Sequence, residues 1–387
     1  MVTLRANDER YSTSIMLAAD GIAAQLFRKK PYALVHRLAL MMAGVTAEQP
    51  PDKKLCSNGG IAKKIGTHDG TFHCDEVLAC YMLQQLDQYK NATIIRTRDP
   101  AVLAECDIVV DVGGVYDPEK NLFDHHQRSF NETMKSVCGK KWSTKLSSAG
   151  LIYCHFGKNV LKTFLGKYKD DESVVTCIYD KIYENFVEEI DAIDNGVDQF
   201  DGVPKYHIST NLSTRVGHCN PSWNDEKPNE MECFKKAVKI VEENFQTKVH
   251  HFLHVWLPAR SIVQDALISR CDIDPSGEII LLRQSCPWKE HLFELEDTEK
   301  IVKPIKYVVY GDKSGKWRIQ CVPAGRNTFE NRLSIVQEWR GLRDEELSKK
   351  SGIPDCVFVH ATGFIGGNKT QKGVLDMARR CLAQTLS

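Results

Sequence analysis

Short apolar runs that stop on an acid or a histidine recur through the first half of this chain. They constrain its fold more than any bulk property. "KKIGTHDG" stops at His68 and Asp69, "DIVVDVGG" at Asp111, and "NLFDHHQR" at Asp124, His125 and His126. The first two run into glycines, and all three have the length and apolar content of buried strands. Between the first two lies "CDEVLACYMLQQL", with apolar side chains at helical spacing and Asp75 and Glu76 at its start, where negative charge suits the helix dipole. Alternating strands and helices predict an α/β fold: a mostly parallel sheet with helices on both faces. The carboxyl ends of such strands share one edge, and ligands bind there. His68, Asp111 and His125 would all emerge at that edge.

From Ser147 the pattern turns helical. "DESVVTCIYDKIYENFVEEIDAIDNG" ends in an Asn-Gly stop, and "NEMECFKKAVKIVEENFQTKVHHFLHVWL" reads as a long amphipathic helix. Strands return near Asp272 as "EIILL", "IKYVVYG", "KWRIQCVP" and "CVFVHATGF", the middle two forming a hairpin across "DKSGK". A chain of 387 residues is too long for one ordinary core. We expect a larger domain over residues 56–271, including the helical section, and a smaller C-terminal α/β domain over residues 272–387. Residues 1–55 stand apart. Gly21 to Ala47 holds no acid, while Arg28, Lys29, Lys30 and Arg37 punctuate apolar residues. That composition fits a mitochondrial leader, although Asp8, Glu9 and Asp20 precede the basic part.

Lys+Arg and Asp+Glu both number 51, which excludes a polycation; any nucleic-acid contact needs a local basic groove. One candidate is Lys135 to Lys145, with four lysines, no acid, and Trp142 among them. It reads equally as a single-strand channel or a solvated loop. Fourteen cysteines are scattered with no CxxC pair. Cys74, Cys80, Cys154, Cys177 and Cys321 fall in apolar runs, so buried reduced thiols are expected rather than disulfides, pointing to an intracellular compartment. No apolar run reaches the roughly 18 residues of a membrane span, so no membrane partner is expected.

Four segments carry ligand-type side chains: His68, His73 and Asp75; Asp111; Asp124, His125 and His126; and Asp191 with Asp194. Mixed carboxylate and imidazole donors suit two divalent ions such as Mn, Mg, Fe or Zn. A carboxylate can bridge two ions about 3.5–4 Å apart, the spacing suited to in-line displacement at phosphorus. Without cations, converging carboxylates would each cost several kcal/mol in lost solvation. Asp69 beside Gly70 reads as a turn residue, and His155 as a core histidine. "HHFLH", with His250 and His254, lacks the glutamate of a zinc-protease helix and reads as packing.

"THDGTFHCDE", "DVGG", "FDHHQR" and "EIDAIDNG" resemble the four motifs of the DHH phosphoesterase superfamily. Together with "WSTKLSSAGLIY", "EWRGLRDEEL" and "GFIGGNKT" they resemble the Myg (melanocyte proliferating gene) exonuclease family, from about Lys63 to Leu382. The resemblance implies a DHH-type sheet domain followed by a DHH-associated domain. It makes His68 and Asp75 metal ligands, Asp111 the bridging carboxylate and His125 a further ligand. Asp124 would orient a neighbour, His126 would face the scissile phosphate, and Arg128 would hold a nonbridging oxygen. The superfamily's first motif has aspartate where this chain has His73, with spacing one residue shorter, so His73 is a ligand in one reading and not in another. Asp191 and Asp194, three apart, are equally placed for the fourth motif. In "GFIGGNKT", Gly366 and Gly367 would let backbone N–H groups approach a phosphate, with Asn368, Lys369 and Arg332 adding donors. The implied activity is a two-metal phosphodiesterase, with manganese or magnesium, trimming single-stranded RNA from its 3′ end in mitochondria and in the nucleus or nucleolus. Two alternatives stand beside it: a phosphatase of nucleotides or small phosphorylated metabolites, and a non-catalytic RNA-binding regulator.

Overall fold

In the computed structural model, the residues described are 62–326 and 328–383, so the leader expected over residues 1–55 lies outside the described residues. They belong to a compact unit, Ile61–Ser387. Strand β1 (Lys64–Thr67) leads through a glycine turn into helix α1 (Cys74–Gln84). Gly70 takes φ 82° in that turn, a conformation that glycine adopts without penalty. Glu76 starts the helix, its carboxylate oxygens accepting the His73 backbone N–H at 3.0 and 2.9 Å. The helix is buried from Cys74 to Leu83, so it is a central helix covered on all faces.

The first sheet continues with β2 (Thr93–Arg96), β3 (Ile108–Val110), β4 (Tyr116–Asp117) and β5 (Leu122–Phe123), in the order β2-β1-β3-β5-β4. β1 runs parallel to β2 and β3, and β3 parallel to β5; only β4 is antiparallel. The carboxyl ends of β1, β3 and β5 therefore lie along one edge. Helices α2 (Ser148–Lys162), α3 (Glu172–Ile182), α4 (Glu188–Asp194), α5 (Leu212–Gly217) and α6 (Glu230–His251) follow. A π-helical turn, Tyr183–Val187, joins α3 to α4 without a break. α1 packs against α2 and α6, in a core that includes Phe72, Phe123, Tyr153, Tyr183, Phe234 and Phe245.

α7 (Ala259–Ile268) precedes the second sheet, which contains β6 (Ile279–Leu282), β7 (Tyr307–Gly311), β8 (Trp317–Cys321), β9 (Cys356–Val359) and β10 (Ile365–Asn368). Its order is β6-β7-β8-β10-β9, with only β6 and β7 parallel. The hairpin across Asp312–Lys316 forms as its sequence predicts. Alternate residues face opposite ways. Ile280, Leu282 and Val308 pack with α7 and with α8 (Lys289–Thr298), while Tyr307, Val309 and Ile319 pack with α9 (Asp344–Ser351) and α10 (Gln371–Ala383). Lys181 of α3, nearly buried, pairs with Glu290 and Glu294 of α8, tying the helical section to the second sheet.

Two expectations are corrected. Cys138 and Cys154 form a disulfide, Cα atoms 6.4 Å apart, because the short helix Met134–Cys138 ends against α2. Cys74, Cys80, Cys177 and Cys321 are free. Gly366 and Gly367 lie within β10, paired with both β8 and β9, and not in a phosphate-cradling loop. A side chain on Gly367 would collide with the Arg318 guanidinium and lie 3.1 Å from the Trp317 carbonyl oxygen, so tight strand packing explains the glycine. Among the described residues, no helix is long and apolar enough to cross a membrane.

Candidate metal centre

The edge shared by β1, β3 and β5 carries the ligand-type residues, because each strand ends one residue before one of them or its neighbour. Asp111, immediately after β3, has φ 60°, a strained backbone for a residue with a Cβ. Its N–H donates to the Phe123 carbonyl at 3.1 Å, and its carboxylate accepts from Ser148 Oγ at 3.1 Å. The strain is held by these contacts and turns the carboxylate into the cluster.

His68 lies with Nδ1 2.9 Å from the Asp69 carbonyl oxygen. A carbonyl only accepts, so Nδ1 carries the proton and Nε2 faces Glu76 at 3.0 Å and Asp111 at 3.4 Å. His125 Nε2 lies 3.3 Å from Asp111, 3.1 Å from Asp194 and 4.0 Å from Asp75. Asp75 is wholly buried, yet neither of its oxygens has a hydrogen-bond partner, and neither nitrogen of His125 makes a bond of proper geometry. Orphaned buried polar atoms are costly and rare. Here a cation is the partner that fits. Four triads each offer donor atoms within 4.8 Å of one another: His68, His73 and Glu76; Asp111, His125 and His126; His73, Asp75 and Asp194; Asp75, Glu76 and Asp111. They interlock through shared residues, with His73, Asp75, Glu76 and Asp111 each serving two.

The protonation pattern agrees. Burial raises Asp75, and the charges of Asp111, Asp194 and Glu76 push it further up, well above the usual carboxylate range. Burial alone would lower His68 and His125, but their carboxylate neighbours outweigh it and hold both up to about 10. Burial also acts to raise Asp111, yet the two imidazoles hold it well below its ordinary value. Without a metal, imidazolium protons supply the positive charge that the carboxylates require. Cys74 lines the same cavity, but burial pushes its thiol up, so it stays protonated.

His126 is exposed, with Nδ1 2.6 Å from Asp124 Oδ1 and 3.6 Å from Asp111. Asp124 bridges two neighbours: one oxygen pairs with His126, and the other accepts the Gly114 N–H at 2.5 Å, fixing the glycine loop after β3. Asp191 and Asp194 separate. Asp194 faces His125, whereas Asp191 accepts from Ser147 N at 3.0 Å, Ser147 Oγ at 2.8 Å and Tyr183 OH at 2.9 Å. Asp191 is thus a buried strut between α4 and the start of α2. Three residues along a helix are not superimposed, and that offset sends the two carboxylates apart.

The remaining predicted positions lie elsewhere. Arg128 is exposed and outside the cavity wall. Arg332 makes a two-pronged pair with Glu296, both bonds 2.7 Å. Asn368 is buried, donating to the Pro354 carbonyl and capping Thr370, while Lys369 reaches Asp355 at 3.4 Å. None of these groups, nor Gly366 or Gly367, lines the cavity. Glu76 is the residue that sequence reasoning missed: it reads as a helix-dipole acid, and only its place beside Asp75 hinted at more. His250 and His254 pair with ring centroids 4.6 Å apart and join none of the four triads.

The triads open into a cavity of about 840 Å³, also lined by Arg98, Lys145, Asn195, Ser213 and Thr214. A mixed α/β protein with a buried carboxylate–imidazole cluster able to hold metal is the class that this fold and site define. Residues 64–382 match a protein-family model described as "MYG1_exonuc: Uncharacterised protein family (UPF0160)", and the chain belongs to that family. It is 54% identical over 338 residues to human MYG1 exonuclease (87% of this chain, 90% of that protein). To mouse MYG1 exonuclease it is 52% identical over 340 residues (87% and 89%). The MYG1 protein of Dictyostelium discoideum is 46% identical over 325 residues (83% and 97%). No solved structure matches.

Proposed function

We propose that this protein is a metal-dependent phosphodiesterase, a 3′–5′ exoribonuclease of the DHH type. The observation that carries the proposal is the fully buried, unpartnered Asp75 carboxylate facing Asp111 and His125 at the floor of an open cavity. The relatives named exonuclease support the nuclease reading. His68, Asp75, Asp111, His125 and Asp194 would hold two divalent cations, manganese first, with Glu76 and His73 at one end. When bound, such ions act as Lewis acids and make hydroxide available near neutral pH.

The chain's own groups position and neutralise. Asp124 fixes His126 through Nδ1, and this holds the ring beside Asp111, where it stabilises phosphate charge or gives a proton to the leaving oxygen. Lys145, on the cavity wall, adds positive charge for a phosphate. The expected places of action are mitochondria and the nucleus or nucleolus.

The test is purified protein, 5′-labelled single-stranded RNA and a panel of divalent ions. The expected result is a ladder shortening from the 3′ side, lost in Asp111→Asn while RNA binding persists. Hydrolysis confined to mononucleotides would make the protein a phosphatase. Absence of hydrolysis with every ion would leave an RNA-binding regulator.

A further inference from the structure

The carboxylate of Asp111 divides the cluster in two. Its Oδ2 faces His68 Nε2 at 3.4 Å, and its Oδ1 faces His125 Nε2 at 3.3 Å. On the Oδ2 side, His68 Nε2 also meets Glu76 Oε1 at 3.0 Å. His73 brings a donor atom within 4.8 Å of those of His68 and Glu76. On the Oδ1 side, His125 Nε2 meets Asp194 Oδ2 at 3.1 Å and Asp75 Oδ2 at 4.0 Å. Asp75 and Glu76 are wholly buried and His125 is 4% exposed. The Asp75 oxygens and the His125 nitrogens have no hydrogen-bond partner there. His126 lends no Nδ1 lone pair to that side, because this nitrogen gives its proton to Asp124 at 2.6 Å.

His73 is also within reach of Asp75 and Asp194. That side already has four residues, however, whereas the other has three without it. The His68 and His73 rings, centroids 6.0 Å apart, therefore complete the Glu76 side. The two sides are then chemically unlike. One offers two imidazoles and the Glu76 carboxylate, the other one imidazole and the carboxylates of Asp75 and Asp194, with Asp111 common to both. Imidazole favours zinc and ferrous iron, whereas carboxylate oxygens suit manganese and magnesium. Any such site binds zinc more tightly than manganese, so the sides differ in the size of that preference.

We infer that the cluster is built for two different ions, and that His73 sets the difference. An imidazole-preferring ion, zinc or ferrous iron, belongs beside His68, His73 and Glu76. Manganese or magnesium belongs beside Asp75, His125 and Asp194. The inference rests on the metal-dependent reading above and deepens it. His73 lies exposed on the cavity wall, so its replacement leaves the core untouched.

The experiment loads the full-length chain with zinc and dialyses it against rising manganese, counting both bound metals by mass spectrometry. No substrate is needed. Zinc should leave the parent in two equal steps, the second requiring at least about tenfold more manganese than the first. His73→Asp should bring the late step down to the early one. Asp194→Asn, which removes a carboxylate from the other side, should leave the late step in place. Circular dichroism checks that each variant is folded, and the parent's own two steps need no variant. Two zinc ions that leave the parent in a single step overturn the inference while leaving the metal-dependent reading intact. A late step unmoved by His73→Asp, or moved as far by Asp194→Asn, also overturns it, as does a parent that takes up one ion only. A parent that takes up no ion overturns the inference and the metal-dependent reading together.

Discussion

At the scale of single residues, Asp75 gives the sharpest test. Its buried carboxylate has no hydrogen bond and faces other acids. Asp75→Asn should therefore stabilise the metal-free protein by on the order of 1 kcal/mol, by removing the cost of burying an ionisable carboxyl among other acids. The same change should abolish most of the stabilisation that manganese confers on the parent. Denaturant titrations with and without chelator measure both, and a less stable variant in chelator would sink the argument. Asp191 behaves differently. Burial raises it from 3.8 to about 7 despite its bonds from Ser147 and Tyr183. Between those values the native state binds a proton that the unfolded chain does not. Stability from this group is therefore complete below about pH 4 and is lost as pH rises through about 7. Asp191→Asn should flatten that slope by about one proton in unfolding measured across pH in chelator. The sequence could not separate Asp191 from Asp194, since both are acids near a helix end; Ser147 and Tyr183, which capture Asp191, are distant or apolar in pattern. His68, Asp111 and His125 were legible because apolar runs announce strand ends, and Asp75 because it opens the helix that follows the first of them. Glu76 was hidden by its equally good reading as a helix start.

At the scale of elements, the turn joining β1 to α1 depends on a residue from the neighbouring strand. The Arg96 guanidinium lies over Phe72 and Phe234, 5.3 and 5.0 Å from their ring centroids, and donates to the Gly70 carbonyl at 2.5 Å. A lysine keeps the charge but loses the planar stack. Arg96→Lys should cost about 1–2 kcal/mol of stability and weaken metal binding, because His68 and His73 flank the turn it holds. Calorimetric melting and metal titration would show both losses; a variant that melts lower but binds metal normally would confine Arg96 to packing. The hairpin β7–β8 was legible from its turn residues. "GFIGGNKT" was misleading for a physical reason: adjacent glycines signal a loop, yet here Gly367 makes room for Arg318 and Gly366 for the Phe358 carbonyl between strands, a demand set by tertiary packing.

At the scale of the whole molecule, the proposed ion binding would couple to folding. The ligands lie on β-strand ends and on α1 and α4, so the unfolded chain holds no such site. Free ion at about 100 times its Kd should raise unfolding free energy by about 2.7 kcal/mol per site. Chelation should reverse the gain without loss of secondary structure, as circular dichroism would show. The alternation of strands and helices made the first half legible as α/β, while the π-helical join and the Cys138–Cys154 bond, which depend on distant contacts, left no pattern in the sequence. The span of the cluster, from His68 to Asp194, also orders events during synthesis. A chain still emerging from the ribosome has its first three ligand segments long before α4 appears. Until Asp194 is made, the cluster stays open on one side, so the proposed metal would be caged only late in the birth of this protein.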